Sequence, residues 1–225
     1  GFDKKFWNLK SQTENAAVLT YLSPHLENGY PGELEVEVLF EITEDNCLIV
    51  SYSACTNKET PVNLTCHPYF NLNGKASILE HKLWINSSKH LEVDEQLLPT
   101  GNILESKNTR FDYSKSAEIN KPDFVGLDDT FVLGLGQLKA KLHSSETGIT
   151  MRVYANEPAM VVYTPKQFPI LNFNNDLGLA AFPAICFELQ NFPDAPNNSH
   201  FPNSILSPNE IYSNKIVFEF SIIED

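Results

Sequence analysis

Residues 33–55 read ELEVEVLFEITEDNCLIVSYSAC, and the first half of this segment alternates with a period of two. Three glutamates share one face of an extended strand, whereas the Leu and Val residues between them share the other. The polar triplet at 44–46 predicts a turn, and Cys47–Cys55 predicts the returning strand. The segment therefore predicts an antiparallel hairpin that buries its aliphatic face.

Similar short strands separated by turn residues recur along the chain, and no segment shows convincing helical periodicity. Residues 96–126 lack such a pattern, and their Pro and Gly residues predict an irregular connection. This organisation indicates an all-β fold, a large antiparallel β-sandwich or barrel, formed by one domain over residues 1–225. The other predicted strands are Asn15–Ser23, His81–Ile85, His90–Val93, Asp128–Leu133, Lys139–His143, Thr150–Tyr154, Met160–Thr164 and Lys215–Ile223.

The composition disfavours several classes of partner and cofactor. The 225 residues carry a formal net charge of −13, which opposes binding to nucleic acid and anionic membranes and disfavours heavily phosphorylated substrates. No apolar run approaches the length of a membrane span. The sequence has no HExxH or HxH motif, so no metal-ligand spacing is present, and it has no Gly-rich loop that would hold a phosphate. It also lacks the GxSxG elbow that a Ser-His-Asp triad would need.

The four cysteines show no CxxC spacing and no close pairing. They are Cys47, Cys55, Cys66 and Cys186, and all lie in strand-like surroundings. This pattern favours buried free thiols in a reducing compartment over a disulfide framework. Together with the absence of a recognisable secretory segment, it predicts a cytoplasmic protein.

One carboxylate, Glu188, stands inside the apolar segment Ala184–Leu189, which a Pro-rich loop follows. Burying a carboxylate is costly unless it has a partner or a chemical role. Alternation places Glu188 on the same face as Cys186 and Gln190, which also suits the solvent-facing side of an edge strand. The neighbouring polar residues favour a pocket wall, and we interpret Glu188 as a candidate catalytic base.

A second candidate is His67, because Pro68 holds the preceding residue in extended geometry, which suits a fixed general acid as well as a packed core histidine. Asp128, followed by Asp129, suits either a turn or a polar ligand contact. The asparagines around His67 suit turn caps or hydroxyl binding; they are Asn63, Asn71 and Asn73. The remaining histidines are interpreted as surface residues: His25, His81, His90, His143 and His200.

Four segments carry a resemblance to a known family: TPVNLTCHPYFNLNG (60–74), GLDDTFVL (126–133), EPAMVVYT (157–164) and ICFELQNFPDAPN (185–197). In this order they are similar to segments of the aldose 1-epimerase (galactose mutarotase) family. The opening GFDK with Trp7 and the terminal SPNEIYSNKIVFEF resemble that family too, so the resemblance spans essentially the whole chain.

The resemblance implies a β-supersandwich without a cofactor that interconverts the α and β anomers of an aldohexose, acting as a monomer or homodimer. By position, Glu188 matches the general base, His67 the general acid and Asp128 the acidic residue that holds sugar hydroxyls. Ring opening needs a proton taken from the C1 hydroxyl and one given to the ring oxygen. With each group about 2.6–3.2 Å from its oxygen, we expect the two side chains roughly 5–8 Å apart.

The chain also departs from the family pattern. The resemblance implies an N-terminal segment with an arginine and a second histidine before GFDK, and we expect this sequence to lack it. Cys66 stands where an asparagine is common, Val161 where some members have a sugar-contacting glutamine, and Asp129 where many have histidine.

Three alternative functions stay open at this point. The first is a sugar-binding or sensing domain that does not catalyse. The second is a hexose-6-phosphate 1-epimerase, which needs basic residues for the phosphate; the sequence has two arginines, Arg110 and Arg152. The third is a retaining glycosidase that uses Glu188 and Asp128.

Overall fold

The computed structural model describes residues 1–74, 77–168 and 180–222. Regular structure in these ranges consists of β-strands and short 3₁₀ turns at Phe2–Lys4, Glu27–Gly29 and Ala195–Asn197, with no helix long and apolar enough to cross a membrane. The strands are β1 (Asn8–Gln12), β2 (Ala16–Ser23), β3 (Leu34–Ile42), β4 (Cys47–Thr56), β5 (Thr60–Pro61), β6 (Lys82–Ile85), β7 (Ser87–Val93), β8 (Pro99–Glu105), β9 (Ala117–Glu118), β10 (Asp128–Leu133), β11 (Leu138–His143), β12 (Ile149–Ala155), β13 (Ala159–Tyr163), β14 (Cys186–Gln190), β15 (Ile205–Leu206) and β16 (Tyr212–Ile222).

Two antiparallel sheets form the body of the fold. The large sheet has the order β1-β2-β3-β4-β16-β12-β11-β6-β9, and the small sheet has the order β14-β13-β10-β7-β8. Strands β5 and β15 form a separate short pair. The prediction of an all-β fold with large antiparallel sheets is confirmed.

The hairpin predicted at residues 33–55 consists of β3 and β4, which pair in register from Leu34 opposite Thr56 to Ile42 opposite Leu48. Val36 and Val38 are 2% and 3% exposed, whereas the alternating residues Glu35 and Glu37 reach solvent. The alternation therefore marks the buried face as expected, because a one-residue slip would bury three carboxylates.

The main core lies between the two sheets. Phe131, Met160 and Phe187 of the small sheet are fully buried in the same cluster as Met151 and Phe218 of the large sheet. One face of the small sheet thus packs against the core. Phe192 and Phe201 cover part of its other face, which we call the outer face, at Ala159, and the rest of that face carries side chains with other roles.

The substitution Ile85→Val tests the packing of this core on β6, where Ile85 is 1% exposed. We expect a loss of about 0.5–1.5 kcal/mol in the free energy of unfolding, because one buried methylene is removed and a small void remains. Urea denaturation measures it. The matched control Ile42→Val, at a side chain that is 63% exposed, should stay within about 0.5 kcal/mol of the parent.

Residues 96–126 are not irregular throughout, so that prediction is wrong in part. They contain β8, which pairs with β7, and β9, which pairs with β6. Most side chains of β8 are exposed, so this edge strand has no buried face and no apolar alternation that the sequence could display. The closing strand also starts three residues earlier than predicted, at Tyr212, and Ile223 lies outside the described residues.

Two of the histidines interpreted as surface residues, His81 and His90, are buried instead. His81 accepts the Leu72 N–H at 3.1 Å on Nε2, and burial lowers the pKa of its imidazole to about 4. His90 stacks on Phe111 with ring centroids 4.1 Å apart, and burial lowers its pKa as well. A neutral imidazole with a hydrogen-bond partner is a tolerable core residue, which the local sequence does not reveal.

Candidate active site

The edge strand β14 places Glu188 on the outer face of the small sheet. Its neighbours Phe187 and Leu189 point into the core and are fully buried, so alternation turns Glu188 away from them. Although the Glu188 side chain points away from the core, it is only 15% exposed, because a loop covers it. Glu188 therefore does not lie on a solvent-facing side of the edge strand, the alternative that its alternation left open.

The covering loop, residues 62–74, is fastened at both ends of β14. Near its start, Asn63 exchanges two hydrogen bonds with the backbone of Asn191, at 3.0 and 2.8 Å. Near its end, Phe70 and Ile185 exchange two backbone hydrogen bonds at 2.9 and 3.0 Å, and Asn71 donates to the Pro183 carbonyl at 2.9 Å. These asparagines thus hold the loop that carries the predicted acid across the strand that carries the predicted base.

The loop brings His67 directly onto Glu188. The distance from His67 Nε2 to Glu188 Oε1 is 3.2 Å, and the histidine side chain is 43% exposed. The separation expected from the chemistry was roughly 5–8 Å, so the two groups lie closer than predicted. This separation is within hydrogen-bonding reach of an imidazole nitrogen and a carboxylate oxygen.

Asp128 joins this pair from β10. The strand register sets Asp128 opposite Tyr163, and Tyr163 opposite Cys186, all on the outer face. Burial and the neighbouring Asp129 charge raise the pKa of Asp128, while His67 lowers it. The three polar residues predicted from the sequence therefore converge on one end of the outer face.

The pKa of Glu188 is raised above the usual value of a glutamate. Burial is the main cause, and the negative charge of Asp128 adds to it, whereas His67 acts in the opposite direction. A carboxylate with a raised pKa is a better proton acceptor and can also return the proton. The arrangement thus suits proton transfer in both directions.

Aromatic rings surround the pair, which the sequence reasoning missed. The ring centroid of His67 lies 4.9 Å from that of Tyr69 and 5.6 Å from that of Tyr163. Tyr69 in turn contacts Phe168 at 5.1 Å. Aromatic side chains with polar tips offer an apolar surface and hydrogen-bonding groups together, which suits a neutral polyol. The sequence did contain a signal for these two rings. Tyr69 lies two residues after His67, and Tyr163 lies on the same strand face as Val161, the position where some members of the family have a sugar-contacting glutamine.

Two cysteines lie beside the pair, and both are free thiols. Burial raises the pKa of Cys66 to about 12, and burial together with the Glu188 charge raises that of Cys186. Both therefore stay protonated and poorly nucleophilic at neutral pH. Cys55, by contrast, is exposed on β4, and Cys47 and Cys66 are half-buried, so the expectation of buried thiols is fully met only by Cys186.

An open groove runs from Asp128 along the end of the small sheet. Its lining includes Arg110 and Lys166 besides Asp128 and Tyr163. Arg110 pairs with Asp129 at 3.3 Å, although the sequence reasoning assigned this arginine to no motif. Across residues 1–74, 77–168 and 180–222, no group of three or more His, Cys, Asp or Glu side chains is placed to hold a metal ion.

Comparison with known proteins shows which family the chain belongs to. The family model for aldose 1-epimerase matches residues 1–219. Galactose mutarotase from Homo sapiens is 38% identical over 232 residues, covering 99% of this chain and 67% of that protein. Aldose 1-epimerase from Escherichia coli (strain K12) is 30% identical over 236 residues, covering 98% of this chain and 68% of that protein. The chain thus spans about two thirds of the length of these relatives.

Solved structures of proteins named as aldose or galactose epimerases have the same fold as this chain. An aldose epimerase homologue from C. elegans superposes with a TM-score of 0.88 at 25% identity, over 97% of this chain and 69% of that one. Galactose 1-epimerase from Lactobacillus acidophilus NCFM gives a TM-score of 0.83 at 28% identity, over 99% of this chain and 68% of that one. The fold, the order of the matched segments and the sequence identity lead to one conclusion: the chain belongs to the aldose 1-epimerase family.

Proposed function

We propose that the protein interconverts the α and β anomers of an aldohexose of the galactose or glucose type, with Glu188 as general base and His67 as general acid. The observation that carries this proposal is the 3.2 Å contact between His67 Nε2 and Glu188 Oε1 on the outer face of the small sheet. Relatives named galactose mutarotase and aldose 1-epimerase support the reaction class.

The reaction needs two proton transfers at one carbon. Glu188 takes the proton of the C1 hydroxyl while His67, protonated, gives its proton to the ring oxygen. The bond between C1 and the ring oxygen breaks, and C1 becomes an aldehyde carbon. After rotation about the C1–C2 bond, the ring oxygen attacks the other face of C1 and both protons return. Both reacting oxygens are bonded to C1, so the acid and the base must be neighbours. A bound sugar must therefore separate the His67 and Glu188 side chains, which are in direct contact in the structure.

The surrounding residues fit a neutral sugar better than a sugar phosphate. Asp128 can accept hydrogen bonds from hydroxyl groups, and the rings of Tyr69 and Tyr163 can pack against the sugar's C–H face. Both arginines are already paired with carboxylates, Arg110 with Asp129 and Arg152 with Glu219. A phosphate would have to compete for them in a chain with a net charge of −13. The hexose-6-phosphate alternative is therefore not favoured.

Polarimetry on freshly dissolved α-galactose tests the proposal. We expect the protein to accelerate the change in optical rotation towards equilibrium in proportion to its concentration, above the rate in buffer alone. A parallel series with α-glucose and with a hexose 6-phosphate ranks the substrates. Saturable sugar binding in calorimetry without any acceleration would favour the sugar-binding domain instead and would contradict the catalytic proposal.

The pH dependence of the rate offers a second test through Asp128→Asn. Glu188 must be ionised to accept a proton, so the rate falls on the acid side as the pH drops through its raised pKa. The Asp128 charge raises that pKa. Its removal lowers the pKa, and we expect the acid limb of kcat/KM to move to lower pH while KM rises. An acid limb that moves to higher pH would contradict this assignment. The same profile measured on Glu105→Gln, on the exposed strand β8, serves as the control.

We also propose a reducing compartment such as the cytoplasm. Cys47, Cys55, Cys66 and Cys186 are free thiols, and Cys186 is fully buried beside Glu188. Proteins that keep several unpaired thiols are typical of compartments in which glutathione and thioredoxin hold thiols reduced.

A further inference from the structure

We propose that Arg110 and Asp129 form a positioning pair that fixes Asp128 in the orientation needed to hold the sugar. This inference rests on the proposed function and assigns a role to two residues outside the acid–base pair. Neither is placed to touch the reacting carbon; both act through Asp128.

The pair holds the short segment Gly126–Asp129 at both of its ends. Arg110 Nη1 donates to the Gly126 carbonyl at 2.8 Å, and Nη2 lies 3.3 Å from each carboxylate oxygen of Asp129. Asp129 Oδ2 also accepts the backbone N–H of Asp128 at 3.1 Å. One planar guanidinium therefore ties the beginning of the segment to its end, a task that suits the fixed fork of arginine.

The segment is also held by Thr164, the residue that follows β13. The Leu127 N–H donates to Thr164 Oγ1 at 2.7 Å, and the Thr164 N–H donates to the Leu127 carbonyl at 2.9 Å. Gly126 has a φ of +104°, and a Cβ at that position would lie 3.1 Å from a ring carbon of Phe182. The Arg110 guanidinium adds a further restraint to the same segment from the loop between β8 and β9.

Strand alternation explains why holding Asp129 orients Asp128. The two residues are adjacent at the start of β10, so their side chains point to opposite faces of the small sheet. Asp129 points towards the core side and is 8% exposed, whereas Asp128 points to the outer face with Glu188 and His67. A slip of this strand end would exchange the two faces and remove Asp128 from the sugar. Pairing of Asp129 with Arg110 opposes that slip.

Arg110 is itself fixed in place. Its guanidinium carbon lies 4.0 Å from the centroid of the Phe111 ring, which in turn stacks on His90. The arginine side chain is 32% exposed and borders the groove that contains Asp128. The comparable pair Arg152–Glu219 lies on the large sheet and is bonded to Ser221, so it supplies a matched control remote from the site.

A double-mutant cycle between the pair and Asp128 tests the inference. Arg110→Gln alone leaves a buried unpaired carboxylate, so the cycle uses Arg110→Gln/Asp129→Asn, which removes both charges together. In the parent background, we expect kcat/KM for α-galactose to fall by about 10- to 100-fold, mainly through KM, because a displaced Asp128 loses its hydrogen bonds to the sugar. In the Asp128→Asn background, the same double substitution should change kcat/KM by no more than about twofold.

The outcomes are distinct. An equal loss in both backgrounds would show a merely structural role and overturn the inference, and so would an unchanged kcat/KM in the parent background. Arg152→Gln/Glu219→Gln should leave kcat/KM within about twofold of the parent. Thermal unfolding of each variant confirms that folded protein is compared. The polarimetric rate of the parent protein is measured before that of any variant. If the parent protein does not accelerate anomer interconversion, the proposed function itself fails.

Discussion

Glu188→Gln is expected to lower kcat for anomer interconversion by about 10²–10⁴-fold, the usual contribution of one general base. The amide has nearly the shape of the carboxylate, so the strand pairing of Glu188 with Val161 stays intact. It cannot accept the proton of the C1 hydroxyl at neutral pH, because an amide oxygen is a very weak base. Sugar binding should change far less than the rate.

Polarimetry gives kcat for this variant, and calorimetry gives its affinity for galactose. Glu105→Gln is the matched control, because it changes an exposed glutamate of the same sheet. A Glu188→Gln protein that retains more than about a tenth of the parent kcat would exclude Glu188 as the general base, since that loss is below the range of general-base catalysis.

His67→Gln is expected to cause a loss of the same order, about 10²–10⁴-fold in kcat, because glutamine cannot donate a transferable proton to the ring oxygen. The substitution has a second effect with a definite sign. His67 lowers the pKa of Glu188. Its removal therefore raises that pKa, and the acid limb of the residual rate moves to higher pH, opposite to the shift expected for Asp128→Asn.

The control for this variant is His200→Gln, which changes an exposed histidine that contacts the Gly101 carbonyl. The double substitution Glu188→Gln/His67→Gln should cost little more than either single one, since groups that act as a unit give strongly non-additive losses. Two losses that multiply fully would show that the residues act independently and would contradict a shared proton-transfer pair.

Local pattern was sufficient to predict the fold class, whereas the residues that meet at the candidate site were singled out together only with the help of the family resemblance. The alternation at 33–38 predicted a buried face that the structure has, because burial of every second residue is a local property of a strand. The resemblance pointed to Glu188, His67 and Asp128, and the structure brings these three together. Their catalytic roles remain predictions.

Other features depend on contacts between distant parts of the chain, which no local pattern displays. The 3.2 Å separation of His67 and Glu188 follows from the way Asn63 and Phe70 fasten the loop to both ends of β14. The pairing of Arg110 with Asp129 joins a loop to a strand end that lies 19 residues later. The strand β8 exists because it hydrogen-bonds to β7 and not because its own side chains are amphipathic.

The position of β16 has a consequence for the order in which the protein acquires its structure. This strand lies between β4 and β12, in the middle of the large sheet. The meander β1–β4 therefore has no lateral connection to β12, β11 and β6 until residues 212–222 have left the ribosome. Closure of the sheet is a late, long-range event, which predicts slow folding and a nascent chain whose unpaired β4 and β12 edges need protection from other chains during synthesis.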